Sequence, residues 1–160
     1  MKKMILVMLS LFAITAVQAQ KRVTLKQCDG DTVLFLKRAF DDRKAEFIGQ
    51  PFSKVIEVWK SQLPVGRLLL GTTGIWPTKK EDQELVNYAN LYFNSEEETD
   101  FRGANKIPYY GVGVMFAPPY RHKVQLFWEM QDEEGPLGPR LYEYLKDYIV
   151  SDIKSFKLQY

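Results

Sequence analysis

The chain of 160 residues carries 22 Lys and Arg against 20 Asp and Glu, with one histidine and one cysteine; 46% of its residues are hydrophobic and 14% aromatic. This composition supports a packed interior and excludes an internal disulfide. The small positive excess is no nucleic-acid footprint: Lys2 and Lys3 belong to a segment expected to be removed, and the other 20 cations are scattered and matched by 20 acids.

The opening "MKKMILVMLSLFAITAVQAQ" places Lys2 and Lys3 before an apolar run from Met4 to Ile14, followed by small residues at Val17 and Ala19. This is the pattern of an export signal cut after Ala19. The run is shorter than the ~20 apolar residues of a membrane span. Residues 1–19 are therefore expected to be a signal peptide and residues 20–160 a single α+β domain, soluble, exported, and periplasmic or secreted.

After the signal, Asp29 or Asp31 can cap a helix in which Val33, Leu36, Phe40 and Phe47 recur at helical spacing, with Gly49 as its stop. Pro51 suits the first turn of a second helix, where Phe52, Val55, Ile56, Trp59 and Leu63 form an apolar stripe closed by Pro64. "RLLLGTT", from Arg67 to Thr73, reads as a short buried strand. Residues 79–93 fit two states. Thr78 and Glu81 resemble a capping box and Leu85, Tyr88, Ala89 and Tyr92 share a helical face, yet Val86, Tyr88, Tyr92 and Phe93 favour a strand. A strand from Leu85 to Phe93 is expected, because the next segment offers it an antiparallel partner.

That segment, "IPYYGVGVMFAPPYRHKVQLFWEM", alternates Tyr110, Val112, Val114 and Phe116, then Val124, Leu126, Trp128 and Met130, which predicts two strands joined at "APPY". Gly111 and Gly113 fall together on the opposite face, with room for a crossing helix or backbone. After the turn "DEEGPLGP", Pro139 opens a last helix with Leu141, Leu145, Tyr148 or Ile149, and Ile153 inward; Phe156, Leu158 and Tyr160 then alternate as a short strand or tail. The expected fold is α+β: two N-terminal helices, an antiparallel sheet of three to four strands with helices on one face, and a C-terminal helix.

Cys28 stands before the first helix, where free N–H groups lower a thiol's pKa, and His122 precedes a predicted strand. A cysteine heading a helix and a histidine heading a later strand resemble the arrangement in NlpC/P60-type cell-wall peptidases, which implies a cysteine hydrolase acting on cell-wall peptide. The sequence departs from that family, whose cysteine is followed by Ser and Gly, in "CDGD", which places Asp29 and Asp31 beside the cysteine, where they oppose thiolate formation. No third residue to orient the imidazole is evident. "LKQC" lacks the small residues that precede a lipid-attachment cysteine. One His and one Cys do not make a metal site, and no cofactor motif is present. The acidic clusters at Asp41 and Asp42, Glu96 to Glu98 with Asp100, and Asp132 to Glu134 read as solvated loop charge. Trp59 and Trp128 fall on apolar stripes and read as core, whereas Trp76, beside Pro77 in a loop, can stack on a sugar or fill a partner's pocket. Tyr88 and Tyr92, with Tyr109 and Tyr120, extend such a surface if they share a sheet face.

The segments "FIGQPFSKVIEVW", "NLYFNSEEE" and "YEYLKDYIVSDIKSF" are similar to small exported bacterial proteins of uncharacterised families, domains of unknown function in which "GxPF" opens a helix. The resemblance implies one α+β domain and supplies no catalytic residues. The expected function is non-enzymatic binding of an envelope or secreted protein or a glycan, with Trp76, Tyr88 and Tyr92 as ligand-binding candidates. The alternative is the hydrolase built on Cys28 and His122.

Overall fold

A computed structural model describes residues 22–72 and 84–158. The predicted signal, Trp76 and the Thr78/Glu81 pattern lie outside the described residues.

The described chain opens with a capping box. Thr24 Oγ1 accepts from the Gln27 amide while Gln27 Oε1 accepts from the Thr24 amide, framing a 3-10 turn at Leu25–Cys28. Asp31 then caps α1 (Thr32–Leu36) by accepting from the Leu34 amide at 2.9 Å. The expected long first helix is interrupted. A π-helical turn at Lys37–Asp41 takes over after Leu36, and a 3-10 turn at Lys44–Glu46 follows. These irregular turns still deliver Phe35, Leu36, Ala39, Phe40 and Phe47 to the core.

α2 (Phe52–Lys60) follows the predicted stripe, burying Phe52, Val55, Ile56 and Trp59. Its first amides have no side-chain cap. They are satisfied instead by distant backbone, Phe52 donating to the Tyr148 carbonyl at 2.8 Å and Ser53 to that of Lys146 at 2.9 Å. Gly49, at φ +76°, makes the turn that brings this junction alongside Val150, whose carbonyl accepts from the Gly49 amide. The indole N–H of Trp59 donates to the Pro64 carbonyl at 2.8 Å, so the buried ring leaves no unpaired donor.

Four strands, β1 (Arg67–Gly71), β2 (Tyr88–Tyr92), β3 (Tyr109–Phe116) and β4 (Val150–Leu158), form an antiparallel sheet in chain order. α3 (Glu96–Ala104) joins β2 to β3; α4 (Val124–Glu134) and α5 (Pro139–Leu145) lie between β3 and β4. The α+β class and the antiparallel sheet are as predicted. The register gives a buried inner face carrying Leu68, Leu70, Ala89, Leu91, Val112, Val114, Phe116, Val150 and Ile153.

The outer face is laid out in three cross-strand rows: Arg67, Tyr92, Gly111, Phe156; Leu69, Asn90, Gly113, Lys154; and Gly71, Tyr88, Met115, Asp152. Large side chains lean over the glycines. The space beside Gly111 is filled by Phe156 and Tyr92 and that beside Gly71 by the Tyr88 ring, so neighbouring side chains take the place expected for a crossing helix. Both sheet edges are capped by side chains. Asp41 accepts from the Ser155 amide on β4 at 2.6 Å, and Gln131 of α4 donates to the Leu68 carbonyl on β1 at 2.8 Å.

Three further local expectations are corrected. Residues 124–130, predicted as a strand, and 132–134, predicted as turn, belong to α4; the helix buries Phe127 and Met130 and leaves Trp128, expected in the core, 55% exposed. The last helix stops at Leu145, and Ile153 sits on β4, which is a full nine-residue strand. The acidic run after Ser95 is the first turn of α3 rather than loop: Ser95 caps the Glu98 amide, and three glutamates face the helix's positive end.

Candidate functional site

Cys28 ends the first 3-10 turn with 1% of its surface exposed, as a member of the hydrophobic core. His122 lies just before α4, its ring against Tyr144 at 4.8 Å between centroids, Phe127 at 5.8 Å and Tyr148 at 6.2 Å. Burial and the adjacent Arg121 push its imidazole below the usual histidine range. Its backbone is tied down on both sides, its amide donating to the Tyr148 hydroxyl at 3.2 Å and its carbonyl accepting from the Val86 amide at 2.9 Å. Among the described residues no hydrogen bond joins His122 to Cys28, and the histidine's ring neighbours are aromatic. Also among the described residues, no three His, Cys, Asp or Glu side chains are grouped to hold a metal ion.

Tyr88, Tyr92 and Tyr109 do share the outer sheet face, but with different exposure. Tyr92 is 3% exposed, packed on Tyr109 and edge-on to Phe156. Tyr88 is half-buried over Gly71 and borders a surface cavity.

Among the described residues, that cavity and a second run along β1 on the side of α4. The first, about 430 Å³, lies among Gly71, Thr72, Glu84, Tyr88, Lys123 and Gln125. The second, about 400 Å³, lies among Arg67, Leu69, Glu96, Gln131, Asp132 and Pro136. Trp128 lines both. Each volume falls within the ~300–1,000 Å³ of small-molecule sites.

The helix explains this placement. Phe127 and Met130 point inward, while Gln125, Trp128 and Asp132, spaced by three and four residues, turn together toward the cavities. Gln131 fastens the helix to the strand, donating to Leu68 on β1 and, at 3.0 Å, to the Pro136 carbonyl beyond the helix end. At the other end of the groove the Leu85 and Lys123 backbones form an isolated bridge, and Lys123 Nζ pairs with Glu84 at 2.7 Å. This contact holds the Glu84 carboxyl below its ordinary range. Arg67 reaches the carboxylates of Glu96 and Asp100 on α3, each at 3.0 Å.

The site therefore consists of one projecting indole between two open recesses of mixed polar and apolar lining, whose charges are largely paired. Such an arrangement offers an apolar surface and nearby hydrogen-bonding groups; among the described residues it brings together no nucleophile, base and orienting partner. Trp128 is the residue that sequence reasoning misplaced. The signal that would have found it is the spacing of Gln125, Trp128 and Asp132, visible only if 124–134 is read as a helix. Compared with family models, with curated proteins and with solved structures, the chain matches none.

Proposed function

We propose that the chain is a non-enzymatic binding domain that acts after export on a component of the cell envelope or its surroundings, and that its contact surface is the grooved face around Trp128. The observation that carries this reading is the 55% exposure of Trp128 on a helix otherwise fastened to the core and to β1. A large aromatic side chain held out by a rigid element loses little entropy when a ligand covers it, and its burial is favourable. The half-buried Tyr88 and exposed Leu69, at 37%, add apolar area on either side. The buried thiol of Cys28 and the aromatic surroundings of His122 favour binding over the hydrolase alternative.

The test uses the mature protein immobilised against separated protein and polysaccharide fractions of the envelope. Retention that disappears in Trp128→Ala, with the thermal midpoint unchanged, is the expected result. Turnover of cell-wall peptides by the mature protein, lost in Cys28→Ala, would replace the binding reading with the hydrolase.

A further inference from the structure

Resting on that reading, we infer that the ligand is an uncharged oligosaccharide lying along β1, with one sugar ring stacked on Trp128 and its neighbours in the two recesses.

Three observations favour this class. The first is the chemistry of the walls. A sugar presents an apolar ring face bordered by hydroxyls that donate and accept, and here a half-exposed indole is flanked by Gln125 on one side and by Gln131 and Asp132 on the other. The Gln125 amide can both donate to and accept from such hydroxyls, while Asp132 and the Oε1 of Gln131, whose N–H groups serve the Leu68 and Pro136 carbonyls, offer acceptors. The second is charge. Lys123 is paired with Glu84 and Arg67 with Glu96 and Asp100, which leaves Asp132 as the lining charge with no ion pair among the described residues. The surface thus carries no spare cation among the described residues for an acidic polymer, and Asp132 repels one. The third bears on the main competitor, an extended peptide added to the β1 edge. Strand addition uses the free carbonyl and amide groups of the edge. At Leu68 that carbonyl already accepts from Gln131, so a peptide must displace the contact that fastens α4 to the sheet.

The experiment presents the mature protein to three probe sets: neutral oligosaccharides, sulfated and carboxylated oligosaccharides, and extended peptides. Hits are followed by calorimetric titration of wild type, Trp128→Ala, Trp128→Phe and Gln125→Ala. The expected result is binding to neutral sugars alone, weakened about tenfold or more by Trp128→Ala. Trp128→Phe, which keeps a stacking face, should lose less. Gln125→Ala should reduce discrimination between sugars that differ in hydroxyl orientation. Thermal midpoints are measured for each variant, and because Trp128 is exposed its variants should fold as the wild type does. Trp128-dependent binding of peptides, or of acidic sugars in preference to neutral ones, overturns the saccharide assignment and leaves the site standing. Absence of binding in all three sets, or binding indifferent to Trp128, overturns the site as well.

Discussion

His122 shows how one side chain couples local packing to solution conditions. Its ring is lodged among Tyr144, Phe127 and Tyr148, and burial, helped by Arg121, holds its pKa below the ordinary histidine value. The unfolded chain therefore takes up a proton at a higher pH than the folded one. Stability from the neutral ring is fully present above the unfolded value and is lost as pH falls through the folded value. Thermal midpoints taken across that window should drop more steeply in wild type than in His122→Gln; parallel curves would show that another group sets the dependence. Gly111 makes a second, steric prediction. A Cβ there would stand 2.5 Å from the Leu91 carbonyl oxygen and 2.8 Å from Phe156 Cζ, and backbone cannot yield as a flexible side chain can. Gly111→Ala should cost about 1–3 kcal/mol in urea denaturation, the usual penalty for overpacking. An unchanged midpoint would mean that β2 and β3 can separate locally at no cost.

Among the elements, α4 is where prediction and structure part, and the reason is instructive about the site. "VQLFWEM" alternates apolar and polar residues over its first positions and is rich in strand-favouring types, so its pattern satisfies a strand. What settles it as a helix is non-local: Phe127 has a buried slot beside Tyr144 of α5, and Gln131 has a carbonyl to reach on β1. Neither partner can be read from the segment itself. By contrast α2, β1 and β3 were legible because their apolar spacing admits one period, and β2 because β3 stood ready to pair with it. Since the misread helix carries Trp128, the candidate site was hidden along with it. The helix predicts an inequality between neighbours. Phe127→Ala should cost about 3–5 kcal/mol as a buried aromatic truncation, whereas Trp128→Ala should move the denaturation midpoint little. Reversed costs would restore the strand assignment. At the far edge of the sheet, Asp41 accepts from both the amide and the hydroxyl of Ser155, at 2.6 and 2.5 Å. Asp41→Ala leaves that amide unpaired at the rim of β4, so about 1–3 kcal/mol of stability should be lost. Light scattering should also show more concentration-dependent association, as an uncapped strand edge recruits others.

For the molecule as a whole, Cys28 offers a clean reporter. Its thiol is 1% exposed and belongs to the same core as the sheet's inner face, so labelling by a thiol reagent should require opening of that core. Labelling rates under increasing urea should therefore follow the global unfolding curve; a fast, urea-independent rate would mean that the N-terminal turn detaches by itself. The same connection has a consequence for the order in which the chain can fold. Asp41 bonds to Ser155, 114 residues later, Lys44 pairs with Asp152, and the amides that start α2 rest on carbonyls of Tyr148 and Lys146. The early turns and α2 thus depend for anchorage on β4 and the residues just before it, about a hundred positions further along the chain. Contacts of such sequence separation form late and slowly, because the entropy of closing the loop must be met before they stabilise anything. Until β4 has been made, these early segments lack the strand they dock on. That delay would keep the polypeptide threadable for the proposed export until β4 is in place.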